Sequence, residues 1–114
     1  MRIDRLKSFA LALPQTKVVG QWGGLVFKVV EKAFFMILLD GETINGVIFK
    51  CTPEEFTELT DIDGIGQATY FAKRMWVHVE DLAALPEQEL KNRIRGSYAL
   101  VAAKLPKKVQ ATLK

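Results

Sequence analysis

The chain has one cysteine, Cys51, and one histidine, His78, in 114 residues. A lone cysteine closes no intrachain disulfide, and with a single histidine it gives no metal-ligand spacing. Folding without a metal, no metal site and no cofactor are therefore expected. Long hydrophobic runs are missing too: the longest, Ala33 to Leu39, is seven residues, against roughly 20 for a membrane-spanning helix. Met1-Arg-Ile-Asp-Arg has no signal-peptide apolar region behind it, so a cytoplasmic location and no membrane association are expected. Gly64-Ile65-Gly66 lacks the third glycine and following helix of a dinucleotide fingerprint, and no Lys-Ser or Lys-Thr follows a glycine-rich loop. One histidine, one cysteine and dispersed carboxylates stand at no catalytic spacing, so no catalytic residue is assigned and no enzymatic activity is expected.

What is present suits a single domain over residues 1–114, with apolar residues at 49% and charged residues at 25%. Net charge is only +3, but it is unevenly spread. Residues 1–50 carry seven basic and four acidic groups, residues 51–89 two and nine, and residues 90–114 seven and none. The acidic middle and basic end either neutralise one another within the fold or leave a basic footprint for phosphates.

From Arg2 to Leu13, Ile3, Leu6, Ala10 and Leu13 recur at helical steps, and Pro14 stops the helix. Thr16 to Val19 reads as a short strand and Gln21 to Gly24 as a loop, with Trp22 sealing the edge of the core. Leu25 to Val30 and Phe34 to Leu39 are strands joined through Glu31-Lys32-Ala33, and Asp40-Gly41 turns the chain into a third strand, Thr43 to Lys50. Leu25, Phe27 and Val29 share one face; Val47 and Phe49 oppose Ile48 and Lys50. Thr52-Pro53-Glu54-Glu55 is a capping box opening a short helix that buries Phe56 and Leu59. Asp61 to Gly66 reads as turn. Pro86-Glu87-Gln88-Glu89 starts a long helix carrying Leu90, Ile94, Tyr98 and Val101 inward, with Leu105 behind them. Pro106 breaks or re-caps it, leaving one further turn from Lys107 to Leu113. Terminal helices around an antiparallel sheet mean an α+β fold with the helices on one face.

The stretch from Gln67 to Val79 is the most mixed, combining Tyr70, Lys73, Arg74, Trp76 and His78. Its last part alternates and, as a strand, sets Met75, Val77 and Val79 on an apolar face and Arg74, Trp76 and His78 on a basic, aromatic one. Cations for phosphates beside a ring for stacking are the two ingredients of nucleic-acid binding. The structural alternative packs Trp76 and Tyr70 at the sheet edge and leaves the charges solvated. Lys104, Lys107 and Lys108 form either a second phosphate-contacting patch or a set of cations suited to a helix C-terminus. Cys51, at a strand end, reads as a buried small hydrophobe rather than a nucleophile.

The ordered set of Leu13-Pro14, Val26-Phe27-Lys28-Val29 with Lys32 and Phe34, Phe49-Lys50-Cys51, Tyr70 with Lys73 and Trp76-Val77, and Ser97-Tyr98 with Lys104-Leu105-Pro106-Lys107-Lys108 resembles the MmcQ/YjbR-like family of small bacterial proteins. Gly66-Gln67 departs from that family's pattern, which has a proline there. The resemblance implies a frataxin-like (CyaY-like) two-layer sandwich, with two helices on one face of an antiparallel sheet and the other face open. It also implies a DNA-binding role proposed for the family, with no enzymatic activity established. The nucleic-acid-binding candidates are Lys73, Arg74, Trp76, His78, Tyr70, Lys104, Lys107 and Lys108. DNA is the first candidate partner and a protein bound on the open sheet face the alternative; a monomer is expected.

Overall fold

The computed structural model describes residues 3–113, apart from Trp22 and Tyr70. Its first helix, α1 (Ile3–Leu11), turns Leu6 and Ala10 inward and ends short of Pro14. Four strands follow as an antiparallel meander: β1 (Thr16–Gln21), β2 (Gly24–Val29), β3 (Lys32–Asp40) and β4 (Thr43–Lys50). Helix α2 (Pro53–Thr60) leads to β5 (Ile65–Gln67) and β6 (Trp76–Val79), then to α3 (Glu87–Ala102) and the single turn α4 (Lys107–Gln110). The sheet order is β1-β2-β3-β4-β6-β5, with all its pairings antiparallel.

Alternation assigns the two faces. Phe27, Val29, Phe35, Ile37, Val47, Phe49, Val77 and Val79 turn to the helices and form the main core with Leu6, Leu59, Leu90, Ile94 and Val101. Helices α1 and α3 lie side by side there. The Arg5 guanidinium meets Glu87 at 2.8 Å, Lys91 and Arg95 stand over the Phe9 ring at 5.6 and 4.9 Å, and the Tyr98 hydroxyl donates to the Pro14 carbonyl. The capping box forms as its sequence indicates: Thr52 Oγ1 accepts from Glu55 N–H, and Glu55 accepts from Thr52 N–H.

Three expectations are corrected. The β2–β3 connection is a two-residue turn at Val30 and Glu31, not at 31–33; both residues have positive φ, 45° and 72°, as the tight hairpin turn matching strand twist requires. A β-branched residue strains such a position; Val30 is held there by packing against the main core. The second correction is β5, a strand where turn residues stand. Ile65 is buried beside Val79, its partner in the ladder. Third, the strand within Gln67–Val79 begins only at Trp76. The segment before it is folded around the Gln67 side chain, whose Nε2 donates to the Ala68 carbonyl and whose Oε1 accepts from Arg74 N–H at 2.9 Å. A side chain supplying those contacts replaces a ladder, and Arg74 takes a φ of 64° that no strand allows.

This loop also lies over part of the face that the resemblance leaves open. Ala68 is buried and Phe71 half-buried against Val26, Met36 and Ile48, forming a second, smaller apolar cluster on the side away from the helices.

A β-bulge decides how α3 docks. Phe27 pairs with Phe35 but Lys28 pairs with Ala33, so Phe34 is the extra residue on β3. Its carbonyl accepts from the hydroxyl of Ser97, and the Ser97 hydroxyl oxygen in turn accepts from Lys50 N–H at 2.8 Å. Ser97 is fully buried. One hydroxyl on α3 thus satisfies two main-chain groups, one from each of two neighbouring strands.

Candidate nucleic-acid interface

The ion pairs among the described residues join Glu55, Glu87 and Glu89 to Arg5, Lys91 and Arg93. The acidic middle is therefore partly neutralised by the basic end, and this happens among the helices. The sheet is different. Lys17 and Lys28 stand directly opposite one another across β1 and β2, on the face carrying Val26; like charges in that position repel. Neither makes an ion pair among the described residues.

At the end of the sheet nearest the C-terminus of α3, Lys32, Lys50 and Lys104 converge on a hollow of about 330 Å³, whose apolar walls are Ala33, Trp76, Val101 and Leu105. Three segments distant in sequence build it. The Val30–Glu31 turn delivers Lys32 to the start of β3, Ser97 holds the main chain of Lys50 at the end of β4, and Lys104 follows the last turn of α3. No carboxylate pairs with these three lysines among the described residues. Burial, and then the charge of Lys104, push the Lys50 ammonium below its ordinary pKa.

Trp76 lies between this hollow and a larger one. Its ring packs on Phe71 at 4.8 Å. Beyond Phe71 runs a groove of about 760 Å³ between the 68–75 loop and the sheet, lined by Ala33, Met36, Leu38, Ile48, Thr69, Phe71 and His78. Ala33 belongs to both hollows. His78 lies across Gly46, so close that a β-carbon added there would come within 2.6 Å of its Nε2. That nitrogen is buried without a hydrogen-bond partner.

The residues singled out from sequence are thus distributed as follows. Trp76 and Lys104 come together in the lysine hollow, and His78 shares the face of Trp76 but faces the groove. Lys73 and Arg74 are exposed in the turn before β6, off the strand on which alternation had aligned Arg74 with Trp76. Lys107 and Lys108 are exposed on α4 and do not line the hollow. Tyr70 lies outside the described residues. Sequence reasoning left Lys32 and Lys50 out of the candidate site; the available signal was a lysine at each end of otherwise apolar strands. Cys51 is buried, and burial raises its thiol to about 11, with Glu55 adding to the rise and Arg93 opposing it. Among the described residues no three His, Cys, Asp or Glu side chains are grouped to hold a metal, and no helix is long and apolar enough to cross a membrane.

A single antiparallel sheet with its helices on one face defines an α+β two-layer sandwich. The chain belongs to the YjbR family, whose model matches residues 11–100. It is similar to the crystal structure of a Deinococcus radiodurans protein carrying the DUF419 domain, with a TM-score of 0.85 and 26% identity over 98% of this chain and 87% of that one. A Pseudomonas syringae protein shares the fold at a TM-score of 0.71 and 22% identity, over 88% of this chain and 98% of that one. No curated protein matches the sequence.

Proposed function

We propose that the protein binds nucleic acid, taking phosphates in the hollow of Lys32, Lys50 and Lys104, with Trp76 beside them. The observation that carries this reading is the convergence of three lysines that have no carboxylate partner among the described residues. Holding ammonium groups together costs free energy in the free protein; an anion at their centre removes that cost. A phosphodiester supplies the anion, and the ring of Trp76 offers a surface to the adjoining nucleotide. Lys17 and Lys28 extend positive charge across the same sheet. The proposed role is binding without catalysis: at neutral pH Cys51 is a buried thiol, and the Nε2 of His78 is closed off against Gly46.

The test is a DNA titration at several salt concentrations. Each duplex phosphate contact contributes about 0.9 to the log–log salt slope, so replacing Lys32, Lys50 and Lys104 together by alanine should flatten the slope by roughly 2 to 3. Replacing Lys73 and Arg74 should change it less. No binding at low salt would refute the reading. Binding that ignores the three lysines but falls with Lys73 and Arg74 would move the site to the turn before β6. A protein partner, which the apolar groove would also suit, would bind with mild salt dependence.

A further inference from the structure

The groove next to the lysines has no part in holding a phosphate, yet it opens within one residue of them. Ala33 lines both hollows, and Trp76 and Phe71 form the stacked ridge between them. At about 760 Å³ the groove lies in the ~300–1,000 Å³ range of small-ligand sites. Its walls are mainly apolar: Met36, Leu38 and Ile48 on the sheet, with Phe71 on the loop. It is therefore suited to a flat, weakly polar ring whose attached anion sits among the lysines. A nucleotide has that build, provided its base is not held in a duplex.

We propose that the groove accepts an unpaired nucleobase, so that the preferred ligand is single-stranded nucleic acid. This rests on the phosphate reading above and adds the strandedness of the ligand. The phosphate of the bound nucleotide occupies the hollow of Lys32, Lys50 and Lys104, and its base passes over Ala33 into the groove, against Leu38 and Phe71. Duplex DNA presents the same phosphates, but its bases are stacked and paired. To use the groove it must first extrude one, at a cost of a few kcal/mol. Stacking on an aromatic ring tolerates any base, since each has a π-face, so the groove confers preference for strandedness and little for sequence.

The experiment compares the affinity of the whole protein for oligothymidylate and for a blunt duplex of equal length, at one low salt concentration, in the wild type, Phe71→Ala and Leu38→Phe. Phe71→Ala removes the wall of the groove, whereas Leu38→Phe fills the groove while keeping its apolar contacts; thermal melting verifies that each variant is folded. The wild type should prefer the single strand. Each variant should weaken single-strand binding roughly tenfold, within the effect of losing one stacked base, and change duplex binding by no more than about twofold. Equal wild-type affinity for the two forms, or variants that leave single-strand binding intact, would overturn the groove proposal while the lysine reading stands. Variants that weaken both forms equally would also overturn it. Failure to bind either form would overturn both.

Discussion

Replacing Ser97 by alanine removes one oxygen atom from the interior, and its cost can be worked out from the groups it leaves behind. The hydroxyl accepts from Lys50 N–H and donates to the Phe34 carbonyl, in a side chain with no exposed surface. Each buried main-chain group left without a partner costs about 1–3 kcal/mol. Two such groups give roughly 2–6 kcal/mol, from which the better helix propensity of alanine subtracts about 0.5 kcal/mol. Because the carbonyl keeps a second lone pair, the lower half of this range applies, about 1.5–3.5 kcal/mol. In urea the midpoint should fall with the slope unchanged, because the same surface is exposed on unfolding. Near this chain length the melting temperature should drop by roughly 4 °C per kcal/mol. A loss below about 0.5 kcal/mol, the level of an ordinary surface change, would show that Ser97 does not bridge the bulged strand and its neighbour.

Gly46→Ala should destabilise by about 2–4 kcal/mol, because the native φ is 134° and the new β-carbon would lie 2.6 Å from His78 Nε2 and 2.9 Å from the Val79 carbonyl; adding His78→Ala should recover part of the loss, and full recovery would rule out the main-chain clash. The Lys50 ammonium is held below 10.5 in the fold by burial and by Lys104, so the unfolded chain binds more protons as pH approaches that value and stability should rise across the alkaline window ending near 10.5. The penalty is present in full below the folded pKa; Lys50→Met should therefore be more stable at neutral pH and lack this rise, and an unchanged pH profile in urea unfolding would refute the assignment.

The elements set by local chemistry were legible from the chain alone. The period of Leu90, Ile94 and Val101 specifies a helix face, and the spacing of Thr52, Pro53 and Glu55 specifies a cap. The alternation of Val47 and Phe49 against Ile48 and Lys50 divides β4 between two faces, although both are covered, Val47 and Phe49 in the main core and Ile48 in the smaller cluster. Each depends on neighbours within a few residues, and there the structure agrees. The terminal helices had to share one face because their apolar stripes need a common surface.

Other features depend on distant partners. Alternation carried back through Arg74 failed because the Gln67 side chain, rather than a neighbouring strand, satisfies the backbone there. The three glycine and aspartate signals before Ile65 read as turn because nothing local shows that β6 is waiting to pair. The lysine hollow is the clearest case. Lys32, Lys50 and Lys104 belong to the start of one strand, the end of the next and the end of a helix, and each by itself is an ordinary charged residue at the margin of an apolar segment. They meet because the bulge at Phe34 offsets β3 and because Ser97 draws α3 down onto the ends of β3 and β4. Sequence by itself determined the inward stripe of the long helix, the cap of the short one and the order of the elements apart from β5. The tertiary structure alone decided which unpaired charges stand together, because that depends on strand register and helix docking, to which local periodicity is blind.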